Sequence, residues 1–150
     1  MVGKEIKVLI FSINDEYYAT DIMEVERILG FEEPTKLPDS PNFLEGVINY
    51  EGNILPIISL TKKFNLPIKG VNKDEKIIVA KQKDEKIGIV VDVVSEVRDV
   101  NLDKIEEAPA IVGGISKRYI KGLIKIDKKI IIFLKLGSIL TEEEKVLISK

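Results

Sequence analysis

Apolar residues come in short runs along this chain, and most runs end at a turn signal. KVLIFSI (7–13) meets Asn14-Asp15-Glu16 and is followed by YYATDI (17–22). GVINY (46–50) and NILPIISL (53–60) flank Glu51-Gly52. EKIIVAKQ (75–82) and KIGIVVDVVSEVRDV (86–100) flank residues 83–85, and IKGLIKID (120–127) and IIIFLKL (130–136) flank Lys128-Lys129. Short runs joined by tight turns predict β-hairpins. DIMEVERILG (21–30) is ambiguous. Ile22, Val25, Ile28 and Leu29 fit a short helix, whereas Val25 and Arg27 fit the start of a strand, and Gly30 ends either one. Residues 31–41 carry three prolines and read as loop, 61–75 as a polar connection, and 101–119 as loop. Thr141 and Glu144 have capping-box spacing, so the last residues read as a helix.

These elements predict an all-β fold. Runs such as IGIVVDVV look buried on both faces, which favours two small barrels sharing a core over one up-and-down barrel. The first barrel is expected over about 16–80 and the second over about 81–136 with the N-terminal strand at about 5–14; a short C-terminal helix closes the chain at about 137–148. YEGNILPIISL and KDEKIGIVVDVV are each a turn followed by an apolar strand, a likeness too loose to define a repeat.

The segment EGVINYEGNILPIISL (45–60) is mostly apolar yet holds Gly46, Glu51, Gly52 and Pro56. Gly52 supplies the positive φ that a tight hairpin turn requires. Gly46 marks a bulge or a close backbone approach, and Pro56 marks a strand margin without a donor. Both a barrel corner and a groove for another chain fit these residues.

Composition narrows the chemistry. The 150 residues include 25 isoleucines and 14 valines, which favour strands, and no tryptophan. No cysteine or histidine is present, which removes disulfides, thiol nucleophiles, the commonest general base and the commonest metal ligand. A formal net charge of −2 gives no basic footprint for nucleic acid. The N-terminus does not read as a signal peptide and no apolar run spans a bilayer, so a cytoplasmic chain without direct membrane insertion is expected. Ser116-Lys117, the carboxylate pairs Glu32-Glu33 and Glu106-Glu107, and Val112-Gly113-Gly114 lack the context of a nucleophile, a proton-sharing dyad or a phosphate loop. No catalytic, cofactor or metal residue is assigned.

NFLEGVINYEGNILPIISL resembles the signature of the CheW family of bacterial chemotaxis coupling proteins through Pro41, Phe43, Gly46, Val47, Asn49, Gly52, Pro56, Ile57, Ile58 and Leu60. YYATDIMEVERILG, KIGIVVDVVSEVRDV and YIKGLIKIDKKIIIFLKLGSIL are similar to further family segments in the same order. The resemblance implies two intertwined five-stranded SH3-like β-barrels and no catalysis. It also implies an adaptor that joins the cytoplasmic tips of chemoreceptors to the regulatory domain of the histidine kinase CheA in membrane-associated arrays. Related settings, such as a non-flagellar pathway or the coupling half of a CheV-like protein, share the fold. The latter needs a receiver domain, which is absent from these residues.

The resemblance places a receptor-binding groove at Val25, Arg27, Gly46, Glu51, Gly52, Gly88, Val94 and Val97. Kinase contacts fall at Ile13, Tyr17, Phe64, Leu66, Ile68 and the 111–120 loop. In one respect the chain departs from the pattern. The family usually has Arg where Glu51 stands and Glu where Arg27 stands. The expectation is a charge-swapped salt bridge that ties the hairpin tip to the segment around Val25–Ile28.

Overall fold

The computed structural model describes residues 4–67, 75–82, 85–112 and 115–149. Twelve strands form two five-stranded sheets and a two-stranded ribbon. The strands are β1 (Glu5–Ile13), β2 (Glu16–Asp21), β3 (Val25–Gly30), β4 (Leu44–Tyr50), β5 (Asn53–Ser59), β6 (Lys76–Gln82), β7 (Glu85–Val91), β8 (Val93–Asn101), β9 (Ile111–Val112), β10 (Ile115–Ser116), β11 (Ile120–Ile126) and β12 (Lys129–Leu134). Helix α1 covers Leu60–Lys63 and α2 covers Glu142–Ser149. One sheet has the order β11-β12-β2-β1-β8; the other, read from its far edge, has β4-β5-β7-β6-β3. The expected all-β architecture of two five-stranded units is therefore present.

Three hairpins turn on paired residues of positive φ: Asn14-Asp15, Glu51-Gly52 and Asp127-Lys128. That backbone matches the twist of the strands it joins. The third turn falls one residue earlier than the expected Lys128-Lys129.

The two sheets repeat one plan. Residues 44–60 and 120–136 match element for element. Gly46 and Gly122 each follow a register shift, at Leu44/Gly46 and Ile120/Gly122. The next residues, Val47 and Leu123, each form an isolated bridge, to Thr35 and Glu106. β5 runs parallel to β7, and β12 runs parallel to β2. Each second strand ends in a short helical turn begun by a buried leucine, Leu60 or Leu136. The chain thus repeats one plan, but residues 44–60 match 120–136 and not KDEKIGIVVDVV (83–94), whose likeness to YEGNILPIISL is too loose to define a repeat.

Sheet membership also departs from the expected division at residues 16–80. β2 belongs with β1 in one sheet, and β7 belongs with β6 in the other. Local pairing explains this: the tight Asn14-Asp15 turn holds β2 antiparallel to β1 from Ile13↔Glu16 onward. The run 86–100 is not one strand. It breaks at Asp92, where the chain crosses from one sheet to the other. The Asp92 amide donates to the Ser12 carbonyl at 2.9 Å, and its carboxylate accepts from the Asn14 amide at 2.8 Å.

Three cores hold the structure. Val8, Ile10, Ala19 and Phe133 pack inside the first sheet, and Ile48, Leu55, Ile57, Ile77 and Val79 inside the second. A larger core between the sheets takes Leu9, Phe11, Ile78, Ala80, Ile87 and Ile89. β1 and β6 therefore bury both faces, one toward their own sheet's core and one toward the shared core, as continuous apolar strands do. β8 does not: its residues are mostly exposed or half-buried.

The ambiguous segment 21–30 resolves into a 3-10 turn, Ile22–Glu24, followed by β3. Asp21 caps that turn by accepting from the Met23 amide at 2.9 Å. The C-terminal helix begins later than residue 137. A 3-10 turn at Leu136–Ser138 comes first, then α2. The capping box is formed: the Thr141 amide donates to Glu144 at 2.8 Å and the Glu144 amide to the Thr141 hydroxyl at 3.1 Å.

Candidate partner-docking site

The β4–β5 hairpin organises the site. β4 alternates buried and accessible residues, so Ile48 and Tyr50 point into their sheet's core while Asn49 stays exposed. Gly46 sits at φ 142°, and a Cβ there would lie 2.3 Å from the Thr35 carbonyl oxygen. Gly46 is thus both a bulge and a close backbone approach. Pro56 lies just outside the parallel pairing with β7, which begins at Ile57↔Gly88. This is the strand margin that its missing donor allows.

Beyond that margin β5 and β7 part. A cleft of about 310 Å³ opens there, with Ile54, Pro56, Ile87 and Leu140 as apolar lining and Glu85, Lys86 and Lys145 as charged lining. Ile54 is 76% exposed.

At the hairpin tip, Arg27 Nη1 lies 3.3 Å from Glu51 Oε2, with both side chains about half exposed. The expected contact between Arg27 and Glu51 is present. It joins β3 to the β4–β5 turn, and β3 and β4 are the two edges of their sheet. A second link lies beside it. The Tyr50 hydroxyl donates to Glu26 Oε2 at 2.7 Å, and Lys86 Nζ pairs with Glu26 Oε1 at 3.0 Å. Arg27 and Lys86 each stand 5.7 Å from the Tyr50 ring centroid. The hydrogen bond from Tyr50, and then that from Lys86, hold the Glu26 carboxyl below its ordinary value; the bond to Glu26 raises the Tyr50 phenol. At neutral pH Glu26 is ionised and Tyr50 is a donor.

The other residues expected in the groove divide by burial. Val25 and Val94 are half-buried against the shared core, and Val97 is 52% exposed on β8. Gly46 and Gly88 are buried. A Cβ on Gly88 would meet Ile57 Cδ1 at 2.6 Å and Ile77 Cγ2 at 2.9 Å. Gly46 thus makes room for the Thr35 backbone and Gly88 for the side chains of Ile57 and Ile77, and neither lines an open groove.

The expected kinase contacts divide the same way. Ile13 and Phe64 are core residues, 3% and 8% exposed, so neither presents an apolar surface. Leu66 packs half-buried on the shared core. Tyr17 is half-buried, with Lys129 Nζ 4.3 Å from its ring centroid. Ile68 lies outside the described residues. Of the 111–120 loop, Ile115 and Ile120 are buried. The exposed apolar side chains are others, including Met23, Ile54, Ile130 and Val146. Ile54 was open to discovery because it alternates with the core residue Leu55; Tyr50, Glu26 and Lys86 carried no sequence signal.

Ser116 and Glu107 have ordinary partners. The Ser116 hydroxyl accepts from the Arg118 amide at 3.4 Å, and Glu107 pairs with Lys117 at 2.8 Å, which holds its carboxyl below the usual value. Gly113-Gly114 lies outside the described residues. Among the described residues, no group of three or more Asp and Glu side chains is placed to hold a metal ion. No helix among them is long and apolar enough to cross a membrane.

The fold defines a double-barrel β domain built from two five-stranded sheets. The chain belongs to the CheW-like domain family, whose model matches residues 7–144. It is 35% identical over 149 residues to chemotaxis protein CheW of Klebsiella aerogenes, covering 98% of this chain and 87% of that one. It is 34% identical over 146 residues to CheW of Thermotoga maritima, covering 93% and 90%. The crystal structure of the scaffolding protein TtCheW from Thermoanaerobacter tengcongensis matches with a TM-score of 0.86 at 34% identity, covering 94% of this chain and 91% of that one.

Proposed function

We propose that this chain is a non-enzymatic chemotaxis adaptor. It couples the cytoplasmic tips of chemoreceptors to the regulatory domain of the histidine kinase CheA. The observation that carries this reading is the family match over residues 7–144, together with likeness over most of both chains to CheW proteins and to a CheW scaffold structure. The chain works as one unit with two arms, one per sheet. It acts in the cytoplasm, recruited to membrane-associated receptor arrays. The receptor docks beside Val25, Arg27, Glu51 and Gly52, and Val94 and Val97 extend that surface. Kinase contacts draw on Tyr17, Leu66, Ile68 and the accessible part of the 111–120 loop. Signal passes as a coupling free energy between two protein contacts. The Arg27–Glu51 exchange alters the charge order at the docking surface, which tunes partner choice more than stability.

Calorimetric titration against the kinase regulatory domain of the same organism tests the reading. One-to-one binding at about micromolar strength is expected, roughly −8 kcal/mol. Absence of binding to both the kinase domain and receptor-tip fragments overturns it.

A further inference from the structure

The two sheets offer an internal comparison. In both, an arginine on an edge strand reaches an acid in a hairpin turn at the opposite edge. Arg27 reaches Glu51 at 3.3 Å, and Arg98 reaches Asp127 at 3.6 Å. An exposed arginine–acid pair is thus part of the common plan of this chain. What differs is the residue just before the acid. In the 120–136 copy it is Ile126, which offers no hydroxyl. In the 44–60 copy it is Tyr50, which is 6% exposed and whose hydroxyl donates to Glu26 at 2.7 Å. Glu26 also receives Lys86, so one carboxylate joins β3, the end of β4 and β7. Lys86 in turn lines the cleft that contains Ile54 and Pro56.

We propose that Tyr50 is a positioning residue. The Glu26–Tyr50–Lys86 cluster fixes the β4–β5 hairpin tip against β3, and Arg27 and Glu51 are thereby left to exchange their contact for a partner's charges. Geometry argues for this order of importance. The Tyr50–Glu26 bond is short, charge-assisted and anchored on a buried ring, and such bonds are the stronger kind. The Arg27–Glu51 contact is longer, and its two side chains are 54% and 49% exposed, so water and salt screen it. Breaking it for a docked chain costs little, while the cluster keeps the hairpin in place.

The partner arm of this inference rests on the adaptor reading; the folding arm does not. Thermal melts of Tyr50→Phe, Glu26→Gln and the double variant form a cycle that keeps the ring packing intact. Tyr50→Phe is expected to lower the melting temperature by roughly 2–4 °C, with little further loss from the second substitution. Arg27→Ala and Glu51→Ala are expected to shift it by less than about 2 °C. Amide exchange at Glu51, Gly52 and Asn53 should speed up in Tyr50→Phe and remain unchanged in Arg27→Ala. Additive losses in the cycle, or an Arg27→Ala shift as large as that of Tyr50→Phe, overturn the proposal without touching the adaptor reading. With a receptor-tip fragment as probe, Arg27→Ala is expected to weaken binding about tenfold while its melting temperature stays within about 2 °C of the parent. Unchanged binding overturns the exchange. A fragment that fails to bind even the unaltered chain counts against the adaptor reading and leaves the folding arm to decide the tether.

Discussion

The ammonium of Lys63 lies 2.7 Å from both carboxylate oxygens of Glu144. Lys63 is the last residue of α1, and Glu144 lies in the first turn of α2. The lysine side chain is 3% exposed and Glu144 is 22% exposed. Two aromatic rings complete the cage, with centroids 5.1 Å away at Phe43 and 4.9 Å away at Tyr119. Because Tyr119 precedes β11 and Phe43 precedes β4, this cation binds the second helix to the start of both hairpin repeats.

Removing one partner leaves a buried charge without compensation. Glu144→Gln is expected to cost about 3 kcal/mol, at the lower end for a buried pair because Glu144 is partly accessible. Replacing both, as in Lys63→Met with Glu144→Leu, is expected to recover most of that loss, because apolar groups carry no desolvation cost. Urea unfolding of the two variants measures the difference. Equal losses in both would show that the pair contributes by packing alone.

The same pair sets an acid limit for α2. Burial pushes the Glu144 carboxyl up, but its bonds to Lys63 and to the Thr141 amide outweigh this, so its folded pKa lies below the ordinary 4.5. A depressed carboxyl contributes stability that is complete above its unfolded value and fades as pH falls through the folded one. α2 is therefore expected to hold from pH 7 to about 5 and to loosen below about 4.5. NMR shifts of the α2 amides against pH check this. In Glu144→Gln the step should vanish.

How much of this was legible depends on the range of the interaction. Hairpins, the Thr141–Glu144 capping box and the Glu51-Gly52 turn follow from neighbours in sequence and are legible there. The placement of β2 and β7 depends on which hairpin each joins, and the break at Asp92 depends on Ser12 and Asn14, distant residues that no local pattern names. Gly46 was readable as a bulge because a glycine entering a strand has few other uses. Gly88 was placed only through the family pattern, and its role is set by Ile57 and Ile77 across two strand pairings. Arg27 and Glu51 were paired only through a family pattern. Glu26, Tyr50 and Lys86 carried no sequence signal, because they lie on β3, β4 and β7 and meet only in the folded sheet.

The glycines sort by what a methyl group would meet. At Gly46 a Cβ collides with the Thr35 backbone and the φ of 142° is itself strained for other residues. Gly46→Ala is expected to cost about 3 kcal/mol or more. At Gly88 the collision is with the ends of Ile57 and Ile77, which can shift, so Gly88→Ala is expected to cost about 1–3 kcal/mol. At Gly30 nothing lies within 4 Å, and Gly30→Ala should stay within about 0.5 kcal/mol of the parent. Denaturant midpoints give the order directly. A neutral Gly46→Ala would show that the 34–35 segment can move away from β4.

Tyr18 gives the alkaline counterpart. It is 2% exposed in the shared core, with its ring centroid 5.9 Å from that of Phe11. Burial, and then the charge of Glu16, push its phenol up to about 12. A phenol raised in the folded state contributes stability that is complete below its unfolded value of 10 and is lost as pH climbs through about 12. Absorbance titration of the 4 tyrosines should show a late step near pH 12 that coincides with loss of tertiary structure. Tyr18→Phe should remove that step and leave the fold intact to higher pH, because the ring remains and no proton has to leave the core. A late step that persists in Tyr18→Phe would assign it to another tyrosine, with Tyr50 next in line because its hydroxyl is held by Glu26.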